Sequence, residues 1–278
     1  SGELYVGNSC SGNSLVISNG GTVASGMGFI GNLADYSNNN VLVTGAGSRW
    51  TNSNDVYIGY AGSGNSLIIS DGGQVAARGG YIGYDSNSTG NTVLVSDGGT
   101  WTNSAELIVG SFGSGNSLVI SNGGTVVSQY LVLGGLPASA EPSTTSSNNS
   151  VLVTGEGSVW NGGAIDVGFS GSGNSLTISN GGKVASFLYG YIGVGAASSN
   201  NSVLVTGTNS VWTNISDLIV GDQGSGNSLV ISNGGTVASG VAVLGKGANV
   251  FGQAATASNN SVLVTGTNSV WTNSGALY

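Results

Sequence analysis

The stretch Gly224-Ser225-Gly226-Asn227-Ser228-Leu229-Val230-Ile231-Ser232-Asn233-Gly234-Gly235-Thr236-Val237 recurs in close copies along the chain, so other residues can be placed by their distance from a copy. Its asparagine serves as the ruler. Equivalent asparagines stand at Asn13, Asn39, Asn65, Asn91, Asn116, Asn149, Asn174, Asn201, Asn227 and Asn260, at intervals of 26, 26, 26, 25, 33, 25, 27, 26 and 33 residues. A fixed internal period outranks chain length as a guide to architecture, so the 278 residues read as one elongated domain of ten units.

Successive units alternate between two dialects. One reads Leu4-Tyr5-Val6-Gly7, Gly12-Asn13-Ser14-Leu15-Val16-Ile17-Ser18, Asn19-Gly20-Gly21-Thr22-Val23; the other reads Phe29-Ile30-Gly31, Asn39-Asn40-Val41-Leu42-Val43-Thr44-Gly45, Arg49-Trp50-Thr51-Asn52. Paired, they make double repeats of approximately 1–52, 53–103, 104–161, 162–214 and 215–273, with 274–278 starting the next. Each unit offers three short β-branched runs broken by Gly, Asn, Asp and Ser, with no helical period. This predicts an all-β parallel β-helix, or β-solenoid, with three strands per coil and about ten coils of ~26 residues. Stacked at ~4.8 Å, the coils bury an apolar face that no single coil could bury, as three parallel sheets around a shared core.

Three columns carry the expectation. The first run ends in Gly at every unit, as at Gly7, Gly31 and Gly83, where a corner needs positive φ. The asparagines are expected to form a ladder, each amide bonding those above and below, rather than to hold a ligand. Trp50, Trp101, Trp160, Trp212 and Trp271 fall in a column that is Val in the alternate coils (Val23, Val75, Val126, Val184, Val237). That alternation reads as core packing rather than as a carbohydrate-stacking surface.

Alternation in the middle run, with Leu15 and Ile17 inward, turns Ser14, Val16 and Ser18 outward. The same outward positions include Leu42, Ile68 and Leu94, an aliphatic stripe bordered by Ser and Thr and a candidate lateral contact surface. Two long loops, 135–148 with Pro137 and Pro142 and 246–259 with Phe251, are further candidates for contact with neighbouring molecules.

Composition removes whole classes of chemistry. The chain has no His, one cysteine (Cys10), and twelve acidic residues against four basic ones, for a net charge of −8. A His-based nucleophile or metal site is excluded, and so are a disulfide within the chain and a basic stripe for nucleic acid. No apolar run is long enough to span a bilayer, so no membrane insertion by this segment is expected. Glu3, Asp55, Glu106 and Asp217 share one column at the start of the first run, but on every second coil. Neighbours are then ~9.6 Å or more apart, too far for a retaining glycosidase pair, and weak Ca²⁺ binding is the alternative to a solvated acidic edge. No cofactor and no enzymatic activity are expected.

The order Trp212-Thr213-Asn214, Leu218-Ile219-Val220-Gly221 and Ser232-Asn233-Gly234-Gly235 resembles the repeat shared by type V secretion autotransporter passengers and PEP-CTERM surface proteins. The resemblance covers nearly the whole chain. It implies a right-handed parallel β-helix displayed outside a Gram-negative-type cell, often as a stalk or adhesin, with no catalytic residues to carry over.

Ser274-Gly275-Ala276-Leu277-Tyr278 restates Ser1-Gly2-Glu3-Leu4-Tyr5, so neither end shows a capping unit. The leading expectation is a structural subunit or segment of an extracellular fibre, its partner further copies of itself, stacked head to tail through Leu4, Tyr5, Val6, Val270, Trp271, Leu277 and Tyr278. The alternative is an adhesin stalk whose long loops, or aromatics such as Tyr36, Tyr60, Tyr84 and Phe251, touch glycans or a host surface.

Overall fold

The structure, a computed structural model, describes residues 2–136, 146–247 and 256–278. Those residues form 28 short β-strands and no helix, and so no helix long and apolar enough to cross a membrane. All named strand pairs are parallel, each strand pairing with its counterpart one coil away. Every coil carries a leading strand (Leu4–Val6 in the first), a middle strand (Ser14–Ser18) and a third strand (Thr22–Ser25). The ten middle strands form one sheet, so the chain makes a β-solenoid of about nine full turns.

The hydrogen-bonded sheets number two rather than the expected three. Leading and third strands belong to a single 18-stranded sheet. Its two faces are joined where Thr125–Leu133 and Val159–Val167 run through the corner as continuous nine-residue strands. Elsewhere only two or three residues, such as Gly26 and Met27, separate a third strand from the next leading strand. A corner this short lets backbone pairing persist around the bend.

Sequence explains the corners. The residue before each ladder asparagine is Gly or Asn in the left-handed region, from Gly12 (φ 72°) and Asn38 (φ 57°) to Gly226 (φ 69°) and Asn259 (φ 57°). Gly83, which ends a leading strand at φ 76°, has a second reason to lack a side chain, because a Cβ there would run into the Asn116 amide. The turn after the middle strand uses Asn19 (φ 53°) and Gly20 (φ 78°), closed by Gly21 N–H donating to Ser18 O at 2.9 Å. Asn and Gly are the residues that adopt positive φ at least cost.

The core is one continuous cluster running from Val6 to Val237. Inward residues of the middle strands (Val41 and Val43, Leu118 and Ile120, Leu229 and Ile231) are buried, and the residues between them face out. Trp50, Trp101, Trp160 and Trp212 are fully buried, and Trp271 is partly buried against the same core. Large and small residues trade places across the core in a way the sequence columns alone did not reveal. Coils with Val in the third strand carry Leu4, Val56, Leu107, Ile165 or Leu218 in the leading strand. Coils with Trp carry Gly28, Gly80, Gly190 or Ala242 at that register, and a Cβ on Gly80 or Gly190 would meet the Trp101 or Trp212 ring at 2.5 or 2.7 Å. The exception is Leu131, in the coil of Trp160, where the close approach moves to Gly162.

Candidate functional site

In the middle coils the leading strand is covered on both sides, as at Tyr81, Ile108 and Val132. Its inward residues join the main core, and its outward residues form a column of Tyr5, Phe29, Tyr57, Tyr81, Ile108, Val132, Asp166, Tyr191, Ile219 and Val243, each one coil from the next. Parallel pairing at ~4.8 Å puts like rings face to face. Tyr5, Phe29, Tyr57 and Tyr81 stack with centroids 4.9, 5.1 and 4.9 Å apart. The residues just past the corner glycine add a second row, with Tyr60 stacked on Tyr84 at 5.0 Å and both set edge-on to Tyr57. Tyr81, Ile108 and Val132, with Tyr57, Tyr84, Leu136 and Phe169 packed against them, form a second hydrophobic cluster outside the main core.

This cluster ends at Asp166. The next step of the column after Val132 is a carboxylate, and beside it opens a cleft of about 300 Å³ lined by Glu106, Ile108, Tyr130, Leu136, Asp166, Phe169 and Tyr189. Asp166 is 5% exposed and its Oδ1 has no hydrogen-bond partner. Burial, with a smaller contribution from the charge of Asp222, pushes its carboxyl up to about 7. Tyr189 stacks on Tyr191 at 4.6 Å at the cleft wall, and burial pushes its hydroxyl up to about 12. Glu106 accepts a hydrogen bond from the Tyr81 hydroxyl.

The acids expected to share one column do so at alternate coils and are not brought together. Glu3 accepts from the Tyr5 hydroxyl, Asp55 is bridged by Arg78, Glu106 is held by Tyr81, and Asp217 stands four coils further on, its backbone carbonyl accepting from Gly190. Among the described residues no group of three or more His, Cys, Asp or Glu is placed to hold a metal ion. Cys10 is free and exposed.

The asparagine column forms hydrogen bonds at all nine steps. Each Oδ1 accepts both the backbone N–H and the side-chain Nδ2 of the asparagine one coil earlier, as from Asn13 to Asn39 (3.0 and 2.9 Å) and from Asn227 to Asn260 (2.9 and 3.1 Å). Asn39, Asn65, Asn91, Asn116, Asn149, Asn174, Asn201 and Asn227 are fully buried.

On the middle-strand face Val16 is 56% exposed, Ile68 is exposed, and Leu42 and Leu94 are half-buried. The aliphatic stripe is not continuous, because Thr177 stands in register between Leu152 and Leu204. Of the terminal residues named above, Tyr5, Val270, Leu277 and Tyr278 are exposed, Leu4 and Trp271 are half-buried, and Val6 points into the core. Pro137, Pro142 and Phe251 lie outside the described residues.

The sequence reading missed Asp166. A signal was available in the strand register, since the outward leading-strand column is aromatic or aliphatic at every position but this one.

No family model matches the chain, and no curated protein matches it. Among solved structures the chain is similar to a fragment of TibA hyper-glycosylated by TibC. That likeness has 15% sequence identity, covers 100% of this chain and 95% of that one, and has a TM-score of 0.37. The solenoid assignment rests on the strand register above and not on this likeness.

Proposed function

We propose that the chain is a structural, non-catalytic segment of an extracellular β-solenoid fibre. The observation that carries this reading is the unbroken register. From Asn13 to Asn260 every step repeats the same middle-strand pairing and the same pair of asparagine hydrogen bonds. A chain built almost wholly from one repeated contact is suited to setting length and stiffness. Glu3, Asp55, Glu106 and Asp222 are tied individually to Tyr, Arg or Lys partners, which leaves no paired acid and base among them.

The coil-on-coil contact is heterologous, so the same contact made between molecules gives an open filament rather than a closed ring. Negative-stain electron microscopy across a concentration series, with sedimentation of the same samples, tests this. Filaments one solenoid wide are expected, together with their loss when Tyr5→Pro removes an edge N–H. Monodisperse rods at every concentration would overturn head-to-tail assembly while leaving the rod itself intact.

A second reading, an adhesin stalk that binds glycans, is favoured by the exposed Tyr60 at the edge of the aromatic rows, stacked on Tyr84. Aromatic faces suit sugar rings. Binding on a glycan array that is lost in Tyr60→Ala would support it, and silence across the array would remove it.

A further inference from the structure

Three carboxylates are buried among the described residues, and all three belong to the outer side of the leading-strand face. Two of them carry a cation. Asp55, 5% exposed, receives Arg78 Nε and Nη2 at 3.0 Å each as well as the Gly79 N–H. Asp222, 7% exposed, is paired with Lys246 Nζ at 2.9 Å. Each pairing raises the affinity of the cation for its proton, for Arg78 and Lys246 alike through the hydrogen bond to the carboxylate. Asp166, equally buried, has no such partner, and it borders the cleft walled by Tyr130, Phe169 and Tyr189.

A desolvated carboxylate without a partner is costly, and removing that cost requires a cation or a donor from outside. The walls narrow the choice. Aromatic faces attract cations through their quadrupole, and an apolar floor at Ile108 suits an alkyl stem rather than a hydrated metal ion. Glu106 at the rim adds a second negative charge, and the chain carries −8 in all. The rod thus already contains the fitting chemistry, an alkylammonium set against a buried aspartate, in its Asp222–Lys246 pair.

We propose that the Asp166 cleft is a binding site for an organic ammonium group, either a free alkylamine or the lysine side chain of another protein. The ammonium pairs with the Asp166 carboxylate where it lines the cleft, and its alkyl stem lies among Tyr130, Phe169 and Tyr189. This site is independent of whether the rod polymerises.

The groups that face Asp166 set how binding depends on pH. They are Glu106 and Tyr130 toward the start of the rod, and Tyr189, Tyr191, Asp222 and Lys246 toward its end. Burial first, and then the charge of Asp222, holds the Asp166 carboxyl at about 7. An ammonium favours its ionised form, so binding at pH 7 releases a proton and strengthens as pH rises from about 6 to 8.

The test is titration of the whole chain with butylammonium chloride, followed by NMR shifts of tyrosine ring signals and by calorimetry in two buffers of different ionisation enthalpy. 1-Butanol serves as the neutral isostere and Nα-acetyl-lysine amide as the protein-derived probe. Saturable binding of butylammonium with proton release, absence of butanol binding, and at least about tenfold weakening in Asp166→Asn are expected. Tighter binding of the lysine derivative than of butylammonium assigns the source to a protein, and the reverse assigns it to a free amine. Equal binding of butanol, unchanged affinity in Asp166→Asn, or no saturation by butylammonium would each overturn the proposal. Asp166→Asn keeps the shape of a side chain that has no partner to lose at Oδ1, and a thermal melt of the variant confirms its folding.

Discussion

Gly80 lies against the indole of Trp101, so closely that a Cβ on Gly80 would stand 2.5 Å from Cζ2 of the ring. The two residues belong to the leading and third strands of one coil, and the coil before it holds Val56 and Val75 at the same registers. Core volume is conserved by exchanging which strand supplies it.

Gly80→Val is therefore expected to destabilise by about 1–3 kcal/mol through overpacking, although its backbone is ordinary extended strand. Trp101→Val is expected to lose about 3 kcal/mol to a cavity. Combining them reproduces the Val56/Val75 arrangement, so the double variant should recover at least about 1 kcal/mol relative to the sum of the singles. Urea denaturation of the four proteins measures this, and strict additivity would refute the exchange.

Asn116→Ala removes the acceptor for both the backbone N–H and Nδ2 of Asn91 and leaves them buried. A loss of about 3 kcal/mol is expected. Hydrogen exchange at the Asn91 amide should accelerate far more than at amides two coils away, and uniform protection would argue that water fills the gap.

Asp166 makes stability depend on pH with a definite sign. Its folded-state pKa is raised to about 7 by burial, so the folded protein holds this proton more tightly than the unfolded chain does. Stability from this group is greatest below the unfolded value near 4, falls as pH rises toward 7, and levels off above it. Asp166→Asn should accordingly be more stable than wild type at pH 8 by on the order of 2–4 kcal/mol, with the gap closing below pH 4. Thermal melts of both proteins at pH 3.5, 6 and 8 check it.

Leu152→Lys and Leu204→Lys change the outward face of the middle strands without touching the core, since both side chains alternate with buried valines. Folding stability should move by no more than about 0.5 kcal/mol. If rods bundle side by side through this face, the double variant should give single filaments where wild type gives bundles, as seen by electron microscopy.

The period and its columns made the architecture legible, because in a parallel stack every coil faces the same neighbours and each column meets the same packing constraint throughout. The asparagines, the tryptophans and the inward aliphatics of the middle strand could be placed from residue spacing alone. Three features could not. The fusion of two faces into one sheet depends on how tightly Gln129 and Gly163 carry the chain through a corner, a matter of backbone torsion. The Gly80/Trp101 exchange joins the two ends of one coil, whose side chains meet only when the coil closes on itself. Asp166 looked like one more dispersed acid. Its isolation shows only when Val132 and Tyr191 are seen above and below it and no cation beside it.

The asparagine ladder points one way. At every step the earlier asparagine donates and the later one accepts, so the side-chain amides align head to tail along the axis like a row of arrows. Aligned amides polarise one another. Two rods meeting with opposed arrows would set donor against donor or acceptor against acceptor. Any coil added to this stack must therefore arrive in the same orientation, and a filament made from it would have two chemically distinct tips, one advancing by offering acceptors and the other by offering donors.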